Sequence, residues 1–287
     1  MKPLSIPVRA VGPGSQPEDE PLRYLDIPHD MATFRMPSVP QRTDQEALSE
    51  ARSVLEEFVD ALGPWDPASS AIGPRLDVSG VSPGALTVIN QMLGEGEVSV
   101  QIAGPKAVRI QESIFTGIWR VRPLSGNGEI ADDWIEAAAL PEVVMRTAGT
   151  AESRVVPVTL PEGTMNSPAL LQEIESAMRA CRPNAPAHVV NLTLFPLTPD
   201  DHRVLELALP VGPVAMISRG FGNCRITSTL ARNVWRVQYF NTMNTLILNT
   251  LEIVAAPEVA LAAADDLHDS RERLAELVAW MAADLAG

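Results

Sequence analysis

The chain has 287 residues, 46% of them hydrophobic and 20% charged, enough for one large domain or two of ordinary size. Its 22 Lys and Arg stand against 36 Asp and Glu, a net charge of −14, so the backbone of DNA or RNA would be repelled and nucleic acid is not expected as a partner. No run reaches the roughly 18 apolar residues that span a bilayer, and the opening Met1 to Gly14 has prolines and glycines where a signal peptide needs an apolar core, which predicts a cytoplasmic protein without direct membrane insertion.

Eight prolines fall within the first 40 residues and leave no interval in which a helix or a paired strand could propagate. Residues 1–42 therefore read as an arm, either disordered or laid along the body through Tyr24, Leu25, Ile27, Phe34 and Met36. The remainder carries an internal repeat at a constant offset of 116 residues, which superposes Trp119-Arg120-Val121 on Trp235-Arg236-Val237. Between Leu76 and Val143 the offset gives 17 identities in 68 positions without a gap. The chain reads as a tandem duplication, with units at 43–150 and 151–287.

Each unit opens with a helix, Glu46 to Leu62 in the first and Pro168 to Ala180 in the second. A short strand follows, Leu76 to Val78 or Val189 to Phe195. Then Ser82-Pro83 and Thr198-Pro199 place a capping hydroxyl before a proline at the first helical position, and those helices run to about Leu93 and Leu209. Three strands come next: Glu97 to Ile102, Ala107 to Phe115 and Gly117 to Leu124 in unit one, and Pro213 to Ser218, Cys224 to Leu230 and Asn233 to Phe240 in unit two. A fourth strand is expected at Thr245 to Val254. Its counterpart Asp132 to Leu140 has helical propensity, but the repeat argues for a strand. A last amphipathic helix is expected from Pro257 to about Leu285. The fold class is α+β: two similar antiparallel sheet units covered by helices, related by a pseudo-twofold axis, with a groove between them.

The motifs of familiar chemistry are missing: there is no P-loop, GxSxG elbow, HExxH or CxxC. The four histidines are scattered, and two cysteines, Cys181 and Cys224, are too few for a disulfide framework or a four-Cys metal site. An enzyme is not expected and no cofactor is implied. One segment concentrates residue types favoured at recognition surfaces: Arg219, Phe221, Asn223, Cys224 and Arg225, then Trp235, Arg236, Tyr239 and Asn241. These are the candidate partner-binding residues. The competing reading is an alternating sheet, with Trp235 and Ile226 inward and Arg225 and Arg236 merely solvated. Cys224 is either a small core thiol or a reactive one whose pKa Arg219 and Arg225 lower. The units also differ in charge: residues 47–147 carry 7 basic and 14 acidic groups, residues 163–263 carry 7 of each.

The string Ser218 to Ile226, with Asn233-Val234-Trp235, Val237 to Asn241 and Thr245 to Thr250, resembles the C-terminal region of the hydrogenase expression/formation proteins HupH, HyaF and HoxQ. Leu93 to Val98 and Gln111 to Val121 resemble the first half of the same family, so the likeness covers most of the chain from about residue 45. Arg236 departs from it, standing where many members have an aromatic. The resemblance implies a cytoplasmic maturation chaperone that binds the iron–sulfur small subunit precursor of a membrane-bound nickel–iron hydrogenase before export, working with a thioredoxin-like companion. The alternative is an iron–sulfur cluster repair or carrier protein that uses Cys224.

Overall fold

The structure, a computed structural model, describes residues 44–183, 185–220 and 222–286; the expected arm at 1–42 and the candidate Phe221 lie outside the described residues. The elements run α1 (Gln45–Leu62), β1 (Ile72–Asp77), α2 (Pro83–Leu93), β2 (Val98–Ile102), β3 (Val108–Glu112), β4 (Ile118–Pro123), β5 (Trp134–Ala138) and α3 (Glu142–Gly149). There follow α4 (Ser167–Ala180), β6 (His188–Asn191), α5 (Pro199–Ala208), β7 (Val211–Ser218), β8 (Asn223–Thr229), β9 (Val234–Phe240), β10 (Leu246–Ile253) and α6 (Ala264–Ala286). The class is α+β, as expected. All ten strands join one sheet in the order β1-β5-β4-β3-β2-β7-β8-β9-β10-β6, with every neighbouring pair antiparallel.

Local chemistry sets these elements. Buried Ala47, Ala51, Leu55, Phe58 and Leu62 recur every three or four residues along α1. Ser82 and Thr198 cap α2 and α5 through their hydroxyls, each before a proline. Against its helical propensity, 134–138 is the strand β5, every residue of it buried between β1 and β4.

Several elements differ from the sequence reading, among them β1, which begins at Ile72 and not at Leu76. The strand expected over Val189 to Phe195 stops at Asn191, whose side chain accepts the Thr193 N–H and starts a 3-10 turn. The C-terminal helix begins only at Ala264, because the Ala262 N–H is spent on the Ala139 carbonyl at 2.9 Å and holds that segment on the sheet. Helix α3 was not anticipated; it lays Val143, Val144, Met145 and Ala148 on the core.

The two halves meet edge to edge through β2 and β7, which pair from Val98↔Ser218 to Ile102↔Val214 with Val100↔Met216 at the centre. Val100 and Met216 are equivalent at the 116-residue offset, so the central pair is self-equivalent and the register is that of a local twofold. Other coincidences follow the offset. The buried Trp119 indole N–H donates to the Ala138 carbonyl, and the buried Trp235 indole N–H donates to the Val254 carbonyl. Gly117 and Asn233 occupy the left-handed region at φ 77° and 62° where β4 and β9 begin, a conformation that glycine and asparagine tolerate best. These features favour the duplication reading. The expected groove between units does not cut the sheet, because backbone hydrogen bonds close the seam.

The cores are arranged differently on the two sheet faces. One face carries a single cluster that crosses the seam, from Val121 and Val100 to Met216, Ile226 and Val237, covered by α3 and the segment 256–260. The other carries two separate clusters. The first lies under α1, α2 and α6, and the second under α4 and α5. Leu274, Val278 and Met281 of α6 thus complete the core of the first half although the helix follows the second in sequence.

Candidate functional site

The space between those two helical layers is where the candidate residues separate. Strand residues alternate across a sheet, so β8 and β9 send neighbours to opposite faces. Cys224, Ile226, Trp235, Val237 and Tyr239 point to the covered face, and Cys224 and Trp235 are each only 1% exposed. Arg225, Arg236, Gln238 and Phe240 point to the other. There Arg225 is exposed and stands 4.6 Å above the Phe240 ring, while Arg236 and Phe240 are half-buried. Asn223 is exposed at the start of β8.

Cys224 and Trp235, expected at a partner-binding surface, therefore belong to the core and cannot touch a partner in this conformation. Burial pushes the Cys224 thiol up to about 11 despite a hydrogen bond from Tyr239, and pushes the Tyr239 hydroxyl up to about 12. A thiol so protonated is a poor nucleophile and a poor metal ligand at neutral pH, so the Arg219 and Arg225 charges do not activate it. Asn241 has a turn role: its Oδ1 accepts the Met243 and Thr245 N–H groups at 2.9 Å and shapes the β9–β10 connection. Arg219 is half-buried just past β7, where its N–H meets the Glu97 carbonyl.

Arg219 also lines a cavity of about 790 Å³ at one end of the seam, between the ends of β2, β3 and β7 and the chain leading into α6. Buried Glu112 lines it too, with one carboxylate oxygen accepting the Gly117 N–H at 3.0 Å. Burial raises its pKa to about 7, and Glu97 and Asp266 add to the rise.

A second cavity, of about 430 Å³, opens on the uncovered face in the first half, beside the end of α2. Its walls include Asn90, Glu95, Gln101, Arg109, Arg120 and Arg122. The Arg120 guanidinium is buried and grips the Asp133 carboxylate with two hydrogen bonds, while its Nη1 donates to Asn90 Oδ1 at 3.1 Å. These first-half residues were not singled out from sequence. The signal was present: Arg109, Gln111, Arg120 and Arg122 alternate with the apolar Val108, Ile110, Trp119 and Val121 on adjacent strands. At the 116-residue offset Arg109 and Arg120 match Arg225 and Arg236.

The family described as "HupH hydrogenase expression protein, C-terminal conserved region" matches residues 48–153 and again 164–281. The chain belongs to the HupH family of hydrogenase expression/formation proteins. HoxQ of Cupriavidus necator, a hydrogenase expression/formation protein, is 42% identical over 283 residues, 98% of this chain and 99% of its own. HupH of Rhodobacter capsulatus is 38% identical over 276 residues, covering 95% of this chain and 96% of its own. The hydrogenase-1 operon protein HyaF of Escherichia coli is 31% identical over 277 residues, 95% of either chain. A solved structure of the hydrogenase expression protein HupH from Thiobacillus denitrificans is 24% identical with a TM-score of 0.35, covering 39% of this chain and 92% of that one. Among the described residues no helix is long and apolar enough to cross a membrane.

Proposed function

We propose that this HupH-family protein is a chaperone that holds the iron–sulfur small subunit precursor of a membrane-bound nickel–iron hydrogenase in the cytoplasm before export, alongside a thioredoxin-like companion. The observation that carries the reading is the stretch of sheet that no helix among the described residues covers, between two helical layers, with Arg225, Arg236 and Phe240 on it. Arginine and aromatic side chains on a rigid strand floor supply directed hydrogen bonds and apolar contact at low entropic cost, which suits the holding of another polypeptide without turnover. The acidic first half would also attract a basic export segment of the client from a distance. The cluster-carrier alternative is disfavoured by the burial and raised pKa of Cys224.

The test is co-purification of tagged protein with small-subunit precursor from cells producing the hydrogenase. The Arg225→Glu/Phe240→Ala variant is expected to lose most of the precursor. Wild-type yield from that variant, or a precursor that matures at full rate without the protein, would overturn the proposal.

A further inference from the structure

The first-half cavity holds more positive charge than its own structure uses. Asp133 is committed to Arg120 by two hydrogen bonds. Arg122 shares Asp133 only through a long ion pair, Nε 3.7 Å from Oδ1 and beyond hydrogen-bonding range, and that buried Nε has no hydrogen-bond partner among the described residues. Its Nη2 meets Asn90 Oδ1 only at 3.5 Å. Arg109 lies directly opposite Arg122 in the β3–β4 register, a like-charge pairing that weakens a sheet. Three guanidinium groups thus converge on a cavity whose lining carries one carboxylate, Glu95, with Asp133 shared behind them by Arg120 and Arg122, in a chain with net charge −14. Burial first, and then the neighbouring Arg120 charge, depress the Arg122 pKa, against the opposing pull of Asp133 and Glu95.

Beyond the uncharged Ser99, Gln101, Ala215 and Ile217 of β2 and β7, the floor carries a second positive site. From β4 through β3, β2, β7 and β8 to β9 there are five strand spacings. At about 4.8 Å each they span roughly 24 Å, the length of about seven extended residues. Arg109 on β3 and Arg122 on β4 stand toward one end, and exposed Arg225 on β8 stands three to four spacings away, roughly 14–19 Å.

We infer that this floor is a binding site for an acidic peptide segment lying extended across the strands, with side-chain carboxylates in the Arg109–Arg122 cavity and at Arg225. A carboxylate matches the planar guanidinium fork and completes the unmet Arg122 Nε. The inference rests on the client-holding reading and names the chemistry of what is held: an acidic stretch of the client, opposite in charge to the basic export segment.

The probe is a fluorescein-labelled heptapeptide, Glu-Glu-Gly-Ser-Gly-Glu-Glu, titrated against the full chain by anisotropy at low and high salt. Its Lys-for-Glu counterpart serves as a control and citrate as a free-carboxylate competitor. The acidic peptide is expected to bind and the lysine peptide not. Arg225→Gln should weaken binding about fivefold and Arg122→Gln about tenfold or more. Arg146→Gln, an exposed change on α3 at the covered face, should leave it within about twofold. Thermal melting checks that Arg122→Gln folds, and the exposed Arg109→Gln gives the same test without a buried change. Equal binding by wild type, Arg109→Gln and Arg225→Gln would overturn the inference, as would saturable citrate binding in the cavity with no peptide binding. If the precursor co-purifies but the peptide does not bind, this inference fails alone. If the peptide binds through these arginines but no precursor is captured, the client reading fails instead.

Discussion

Replacing Asp201 by Asn changes one oxygen to an amide and leaves side-chain volume nearly constant, so it isolates the electrostatics of a joint between two helices. The buried Asp201 carboxylate receives the Met165, Asn166 and Ser167 N–H groups and the Ser167 hydroxyl on Oδ1, all at 2.9 Å. The Thr198 N–H and hydroxyl donate to Oδ2 at 3.0 Å, closing the capping box of α5. Helix α4 has no cap from its own Asn166 side chain, so Asp201 supplies the acceptor for its N-terminus as well. An amide aimed at Thr198 would confront the Thr198 N–H with a second donor and remove the negative charge from two helix N-termini. With charge-assisted bonds at about 1.5–3 kcal/mol, Asp201→Asn should cost about 3 kcal/mol. That corresponds to a Tm lower by about 6–12 °C for a domain of this size.

The pH dependence gives a sharper test. Burial alone would raise the Asp201 pKa, but the hydrogen bonds from Ser167, Thr198 and Met165 outweigh it and hold the group well below its ordinary 3.8. A carboxyl with a depressed folded-state pKa contributes stability that is fully present well above its unfolded value and is lost as pH falls toward the folded one. Differential scanning fluorimetry should show the full Tm gap from pH 7 down to about 5, closing progressively below about 4. A gap under about 2 °C at pH 7, or one that stays constant down to pH 3, would refute the reasoning.

Glu112 has the opposite sign: its pKa is raised from 4.5 to about 7, so the stability it contributes is fully present below 4.5 and is lost as pH rises to about 7. Glu112→Gln should therefore melt near the wild type at pH 4.5 and gain about 1–3 kcal/mol on it at pH 8; an equal difference at both pH values would contradict this. Asp133→Asn leaves the buried Arg120 guanidinium without its carboxylate and should destabilise by about 3–5 kcal/mol in urea, whereas Arg122→Gln should cost less than about 1 kcal/mol. Native protein treated with iodoacetamide at pH 7.5 should label the half-buried Cys181 and leave Cys224 unlabelled until denaturant is added, read by mass spectrometry. Gly117→Ala should lower the Tm by several degrees, because its Cβ would stand 2.0 Å from Leu267 Cδ2 at φ 77°.

The repeat supplied more than local periodicity could. Periodicity and propensity alone read 132–140 as a helix, whereas the alignment with Thr245 to Val254 correctly argued for a strand. Caps at Ser82 and Thr198 were legible because capping depends on a few adjacent residues. The candidate site was legible only in composition: Arg225 and Cys224 are neighbours in the chain, yet one is exposed and the other buried. The faces of a strand are fixed by its alternation, but which face receives a helical layer depends on elements far away in sequence.

What the sequence determined by itself is therefore the family, the order of elements apart from α3, the 116-residue offset and the two alternating sets of side chains, all properties of neighbouring residues or of self-comparison. Only the tertiary structure decided that β2 and β7 join the halves into one sheet, that α6 returns to the first half, and that the helices among the described residues form two separate cores on one face of the sheet. Those outcomes follow from strand pairing and apolar burial between segments distant in sequence, energies that no local window contains.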